Sequence, residues 1–342
     1  MSCDTDGFDS ILARLASGAE QLFGDARATI EPVARIQRPF STLLRLRIDA
    51  RGRKSYAFLK VFKPQRPGEE EIAQLRRWVL REYDATERLH EAVKGRPGLS
   101  ALRPLAVFPD QLALVTEEVQ GEQFDRIVRR TLWGGGSVEA LEQVAGRIGA
   151  WIRTYQDVTD VEGTLALAER REYLDVRLRK LTGDVLTPAD RELALRRGDQ
   201  LAPRVSPLDL GLVAIHADLS PTNILVGADG TVTILDFAMA KTGARYHDIA
   251  HLFLHLERLR WRPHVRRNLV GTLEAALLRG YDPALTPSDP LFALMLLQHA
   301  ACYIAQLAER DLGLLRPPYR ALLKRRWHKS LETPGLTGAF LT

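Results

Sequence analysis

His216-Ala217-Asp218-Leu219-Ser220-Pro221-Thr222-Asn223, followed after one strand-like run by Asp236-Phe237-Ala238, is the stretch on which the reading of this chain turns. The loop is bracketed by Leu212-Val213-Ala214-Ile215 and Ile224-Leu225-Val226, and Asp236 closes the apolar run Val232-Thr233-Ile234-Leu235. With Asp229-Gly230 as its turn, the second half reads as a β-hairpin. Two carboxylates and a carboxamide thus sit on a loop and at a strand end. They offer hard oxygen ligands for a divalent cation and an acceptor for a proton. A lone Asp in a turn ordinarily satisfies local backbone donors, but His, Asp, Asn and a strand-terminal Asp in this order are hard to obtain by chance.

Working outward, residues 10–23 carry Ile11, Leu12, Leu15, Leu22 and Phe23 at helical spacing and predict a leading helix. Strand-like runs follow at 33–36, 43–48 and 56–62, the last containing Lys60. A helix bearing Leu75, Val79, Leu89 and Val93 comes next, then an extended region, 105–119, broken by Pro109-Asp110. Beyond Gly121 the pattern is helical, first over 124–131 and then over 138–155 with Ser137 as its cap. The triple glycine 134–136 lacks a following Lys-Ser or Lys-Thr and reads as a loop, not a phosphate cradle. Two further helices are expected within the charged segment 160–207, around 173–180 and 189–197.

The ordered elements resemble the eukaryotic-like kinase superfamily, and most closely its aminoglycoside phosphotransferase and choline kinase families. The resemblance spans about residues 30–310 and is strongest over 213–252. It implies an α+β, two-lobe protein-kinase-like fold: a leading helix over 1–29, a small antiparallel-sheet N-lobe over 30–119 and a mainly helical C-lobe over 120–342. The implied cofactors are ATP and Mg2+, and the implied reaction moves the γ-phosphoryl group to a hydroxyl of a small molecule: a sugar, an amino alcohol or a lipid-linked sugar. Asp218 is then the base that orients the acceptor hydroxyl, Asn223 and Asp236 are the metal ligands, and His216 is architectural.

The resemblance makes Lys60 the lysine that meets the nucleotide phosphates, with Glu82 as its preferred partner and Glu87 as the fallback. An inward charge on an apolar strand needs such a partner. Residues 114–121 resemble the strand entering the inter-lobe hinge, so the Glu117 carbonyl and the Val119 N–H are the expected adenine contacts. The phosphate-covering loop is expected at Gln37-Arg38-Pro39-Phe40-Ser41-Thr42, which has no glycine; Ser41, Thr42 or Arg38 would take over its contacts. Asp248 resembles the structural aspartate that caps the next helix and steadies the catalytic loop. The short stretch 237–247 leaves no room for a phosphorylatable activation segment, which weighs against the runner-up, a protein kinase. The intact trio Asp218, Asn223 and Asp236 weighs against a nucleotide-binding scaffold without turnover.

Composition bounds partners and location. The 48 basic and 43 acidic residues give a formal charge of +5, too nearly balanced to imply nucleic acid. Two cysteines, Cys3 and Cys302, suit a reducing cytoplasm rather than a disulfide framework. The acidic N-terminus lacks the pattern of an export signal. The apolar stretch 291–308 contains Gln298, His299 and Gln306 and reads as a buried helix, not a membrane span. Arg258, Arg260, Arg262, Arg266 and Arg267, with Lys324, Arg325, Arg326 and Lys329, make the C-lobe basic. They suit an anionic or glycan-like acceptor, walled by 160–207 and by the helix after Asp248, and they leave peripheral contact with an anionic membrane open.

Overall fold

The computed structural model describes residues 6–66, 68–159, 161–261, 265, 267–309 and 316–332. Cys3, Asp160, Arg262 and Arg266 lie outside the described residues, as does the side chain of Arg267. The chain forms two compact units, residues 1–123 with 223–240, and residues 124–222 with 241–342. Each is α+β or helical as its sequence pattern dictates.

The first unit opens with α1 (Asp6–Ser17) and α2 (Ala19–Phe23), which meet at Gly18. Three antiparallel strands follow: β1 (Thr29–Gln37), β2 (Ser41–Ala50) and β3 (Arg53–Phe62). After α3 (Glu69–Val93) and β4 (Leu99–Ser100) come β5 (Pro104–Phe108), β6 (Ala113–Glu117) and β7 (Glu122–Gln123). The main sheet runs β1-β2-β3-β6-β5, with every pairing antiparallel. Strand alternation then assigns its faces. Leu44, Leu46, Ile48, Ala57, Leu59 and Val115 pack with Ile11 and Leu15 of α1, whereas Phe62 and Leu114 pack with Leu75 and Val79 of α3. Lys60 shares the parity of Phe62 and therefore faces α3.

The buried stripe of α3 is Leu75, Val79, Glu82, Thr86, Leu89 and Val93, a three-four spacing that gives one face of a helix. Glu82 occupies a core position of that stripe, so its carboxylate must find a partner inside the unit.

The second unit begins with α4 (Phe124–Leu132) and α5 (Val138–Asp157), then α6 (Leu167–Arg179), α7 (Pro188–Leu201) and β8 (Leu212–Ile215). Ser137 caps α5 by accepting the Ala140 N–H at 3.1 Å, and Thr187 with Asp190 forms a capping box on α7. The chain then contributes the hairpin β9 (Ile224–Val226) and β10 (Val232–Ile234) to the first unit, in the sheet β4-β10-β9-β7. It returns with β11 (Lys241–Ala244), antiparallel to β8, followed by α8 (His247–Glu257), α9 (Arg267–Tyr281), α10 (Pro290–Ala308) and α11 (Arg316–Leu331).

The core of this unit gathers round α10, which α6, α7, α8 and α11 all touch. By length and composition α10 could cross a membrane, but 72% of its most apolar window is buried in the unit, as expected of a core helix. The basic helix α11 keeps Leu323 and Trp327 fully buried. Helices α5 and α9 approach so closely that a Cβ at Gly149 would collide with the Leu277 carbonyl, and one at Gly280 with that of Gly146. Glycine there permits backbone-to-backbone packing.

Candidate active site

In the first unit, Lys60 is held in mid-sheet between β2 and β6, opposite Leu43 and Leu114. Its Nζ donates to Glu82 Oε1 at 3.0 Å and Oε2 at 2.8 Å, and to Asp236 Oδ1 at 2.6 Å. The fallback Glu87 is engaged elsewhere, accepting a long bond from Tyr83. Burial alone would lower the pKa of Lys60, but the carboxylates of Glu82 and Asp236 outweigh it and raise it, keeping the ammonium charged. Burial pushes Glu82 up, Lys60 counters in part, and the charge of Asp236 adds to the rise. Both directions follow from one cation shared by two carboxylates.

Asp236 follows β10 with φ +69°, a left-handed conformation that an L-residue adopts only where its surroundings impose it. The next turn, Phe237–Met239, buries Phe237 and Ala238, and Ala238 joins the α3 core with Phe62, Leu75 and Val79. Thus the position that follows Asp-Phe is packing-limited. Asn223 lies across the same hairpin end: its carbonyl accepts the Leu235 N–H at 2.9 Å, and Ile224 pairs with Ile234. The side chain of Asp236 remains 48% exposed.

Ser41 is the first residue of β2, buried and paired with Phe62, and its carbonyl accepts the Arg38 N–H at 2.9 Å. The glycine-free connection is thus a tight β1–β2 turn with Phe40 exposed at its tip. Thr42 Oγ1 donates to Gln37 Oε1 at 3.0 Å. The Glu117 N–H donates to the Arg103 carbonyl and the Glu118 N–H to that of Tyr56, both at 2.9 Å. Val119 follows just past the end of β6.

The second unit carries His216 to Thr222. His216 is 1% exposed, and its Nδ1 accepts the Asp218 N–H at 3.3 Å. Asp248 Oδ2 accepts the His216 N–H at 2.6 Å and Oδ1 the Ala217 N–H at 3.0 Å, while His247 Nδ1 lies 3.0 Å from Oδ1. Burial would raise the Asp248 pKa, but His247, His216 and the backbone bond outweigh it and hold the carboxylate ionised. This corrects the capping role expected of Asp248: Tyr246 is the N-cap of α8, and Asp248, inside the first turn, spends both oxygens on the loop. Ala217 takes φ +66°, so the anchored backbone turns sharply there and leaves Asp218 exposed.

A cavity of about 290 Å³ in this unit is lined from α4, Pro221, the end of α8, Tyr303 of α10, and α11. The expected wall over 160–207 contributes nothing to it; α6 and α7 border a different, apolar cavity with Met295 of α10. Sequence reading also passed over a row of histidines. His247, His251 and His255 recur every four residues on α8; His299 of α10 stacks on His251 at 4.7 Å and meets His247 edge-on at 4.5 Å, and His255 meets His251 edge-on at 4.9 Å. Their spacing was the available signal.

The phosphotransferase enzyme family model matches residues 43–286, a span that holds Lys60, Glu82, Asp218, Asn223, Asp236 and Asp248. The chain belongs to the phosphotransferase enzyme family. This phosphotransferase has the two-lobe kinase-like class of fold and is an enzyme of the kinase class acting on small molecules. Among solved structures it resembles a choline/ethanolamine kinase family protein from Mesorhizobium loti, at 18% identity and TM-score 0.55, over 97% of each chain. It also resembles an aminoglycoside phosphotransferase from Alicyclobacillus acidocaldarius, at 15% identity and TM-score 0.52, over 90% of this chain and 91% of that one. A third is the amicoumacin kinase hAmiN in complex with AMP-PNP, Ca2+ and its antibiotic, at 16% identity and TM-score 0.51, over 96% and 97%. No curated protein matches the sequence significantly.

Proposed function

We propose that this phosphotransferase moves the γ-phosphoryl group of ATP, with Mg2+, to a hydroxyl of a small molecule of the sugar, amino-alcohol or lipid-linked-sugar type. The observation that carries the reading is the Lys60 ammonium, held charged between the buried Glu82 and the half-exposed Asp236. A cation fixed in that way has one strong use, to meet phosphate oxygens. Ser41 lies on the same sheet, and the Glu117 carbonyl and Val119 N–H are the main-chain groups for adenine.

The donor set fits a hard divalent ion. Asn223 and Asp236 offer one neutral and one anionic oxygen at one hairpin end, and Mg2+ bound together with nucleotide takes few protein ligands and fills its remaining positions with phosphate and water. When bound, the ion supplies charge neutralisation of the β- and γ-phosphates. Asp218 accepts the proton of the acceptor hydroxyl as its oxygen bonds to the γ-phosphorus and the bridge to ADP breaks. Asp248, acting through His216 and Ala217, positions Asp218. From Asp236 to Asp248 the chain passes at once through a short turn, β11 and α8, which favours a small acceptor over a regulated protein kinase.

The test is a coupled ADP-release assay across sugars, amino alcohols, glycan precursors and generic protein substrates, with and without Mg2+. Asp218→Asn should lower turnover by about 10²–10⁴-fold with nucleotide affinity retained. Turnover that survives this change would remove Asp218 as the base, and preferential labelling of protein substrates would favour a protein kinase.

A further inference from the structure

Among the described residues, the cavity on the second unit collects more cations than carboxylates. Its lining includes five cations, Arg129, Arg258, Arg325, Arg326 and Lys329, against the single carboxylate of Asp125. Asp125 is already bonded to Arg129 at 2.7 Å. Among the described residues, no carboxylate pairs with Arg325, Arg326 or Lys329. His255, which also lines the cavity, is driven by burial to a pKa of about 3 and adds no charge. Two of the guanidiniums are aimed by one ring: Arg258 lies 3.5 Å over the face of Tyr303, and Arg326 donates to the Tyr303 hydroxyl at 3.4 Å. Pro221, on the loop that carries Asp218, completes the wall.

We propose that the acceptor of this phosphotransferase already bears a phosphate group, held in this cavity by Arg258, Arg325, Arg326 and Lys329. The proposal rests on the reading of the chain as a kinase of small hydroxyl compounds. Arg325, Arg326 and Lys329 alone exceed what one carboxylate can balance, whereas a phosphomonoester carries about −1.5 to −2 and three acceptor oxygens. Arginine forks match that geometry in pairs. A cationic acceptor would be repelled. The volume of about 290 Å³ stands at the low end for small-ligand pockets, roughly 300–1,000 Å³, and suits a single sugar or polyol head rather than an oligosaccharide. In the transfer the acceptor's own phosphate is untouched: its hydroxyl oxygen gains the γ-phosphoryl group, ADP leaves, and the proton passes to Asp218. A free sugar or polyol phosphate and the same group on a lipid share this chemistry.

The experiment measures ADP release by the full chain with ATP and Mg2+ on matched pairs: glucose and glucose 6-phosphate, glycerol and glycerol 3-phosphate, inositol and inositol 1-phosphate. Vesicles of phosphatidylcholine carrying phosphatidylinositol or phosphatidylinositol 4-phosphate form the lipid arm. The phosphorylated member of at least one pair, soluble or vesicle-borne, should exceed its parent in kcat/KM by about a hundredfold. Arg325→Glu/Lys329→Glu should raise the acceptor KM about tenfold or more, with the KM for ATP within about twofold and Lys329→Arg restoring most of the loss. In parallel, inorganic phosphate should raise the melting temperature of the AMP-PNP-loaded wild type but not of the charge-reversed variant. Arg325→Gln alone serves if the double variant does not fold. Equal use of neutral or cationic acceptors, or a phosphate shift that survives charge reversal, overturns the proposal. Turnover of an unphosphorylated acceptor that Asp218→Asn abolishes would leave the kinase reading standing while this one falls. If no compound releases ADP, the phosphate shift alone decides.

Discussion

The two charged centres of the molecule are built on opposite rules. In the first unit Glu82 and Asp236, from a helix and a hairpin end, both close on the Lys60 ammonium of a strand within 3.0 Å, so the cation is matched by the protein's own acids before any ligand arrives. In the second, Arg325, Arg326 and Lys329 line a cavity whose one acid among the described residues is engaged by Arg129. The first arrangement is structural as well as chemical, because removing Lys60 strands the buried carboxylate of Glu82. The second is held open by helix packing, and its charges can change with little effect on folding. Substitutions in the two places should therefore separate stability from acceptor choice.

The largest effect is expected at the self-neutralising centre. Lys60→Ala should cost about 3–5 kcal/mol of stability, read by denaturant unfolding, because it leaves Glu82 buried and unpaired. It should also weaken nucleotide binding. Adding Glu82→Gln should recover part of the stability but none of the affinity; recovery of both would break the comparison.

Next is the loop anchor. Asp248→Ala removes the acceptor for the His216 and Ala217 N–H groups, and a misplaced loop should lower kcat by about 100-fold while nucleotide affinity in the first unit holds. A matched loss of affinity in titration calorimetry would show that the anchor serves both units.

The histidine row should make the second unit acid-sensitive. Burial lowers His251 to about 4 and His255 to about 3, and His247 for the first, His251 for the second, and Arg258 for both reinforce this. Both are neutral above pH 6.5, folded or unfolded, so stability is intact there. As pH falls the unfolded chain takes up protons that the folded one refuses, and stability is lost progressively down to the folded pKa values. For His251 alone the loss by pH 5 should be about 2 kcal/mol. His251→Gln should flatten that decline in pH-dependent melting; an unchanged slope would place the sensitivity elsewhere.

The smallest effect is a control. Ser137→Ala removes the α5 cap and should cost about 1 kcal/mol with no change in either KM.

Much of this was legible in the sequence because the informative residues lie in short local patterns. The run 216–236 fixes a loop and a hairpin by turn chemistry and apolar alternation. Lys60 shows as a charge inside an apolar strand, and Glu82 as an acid in a helical core stripe. What local pattern does not specify is which distant helices meet. The cavity joins α4 to α11 across most of the second unit, a meeting that no local pattern announces. The assignment of 223–240 to the first unit depends likewise on long-range pairing, of β10 with β4 and of β9 with β7. The spacing of His247, His251 and His255 was visible, but the fourth member, His299, comes from α10 and only packing brings it in.

The glycine contact between α5 and α9 has a reach beyond its own helices. Both helices end at one atom: the Gln156 amide donates to the Arg245 carbonyl at 2.8 Å, and the Tyr281 hydroxyl, which lies 3.2 Å from that carbonyl, donates to Gln156 Oε1 at 2.6 Å. Arg245 stands at the threshold of α8, whose first turn carries Asp248. The loop with Asp218 is thus surveyed from a fixed benchmark, two helices locked backbone to backbone and sharing a common terminus. A methyl group at Gly149 or Gly280 would shift that benchmark and move the proposed base, although neither position touches nucleotide or acceptor chemistry.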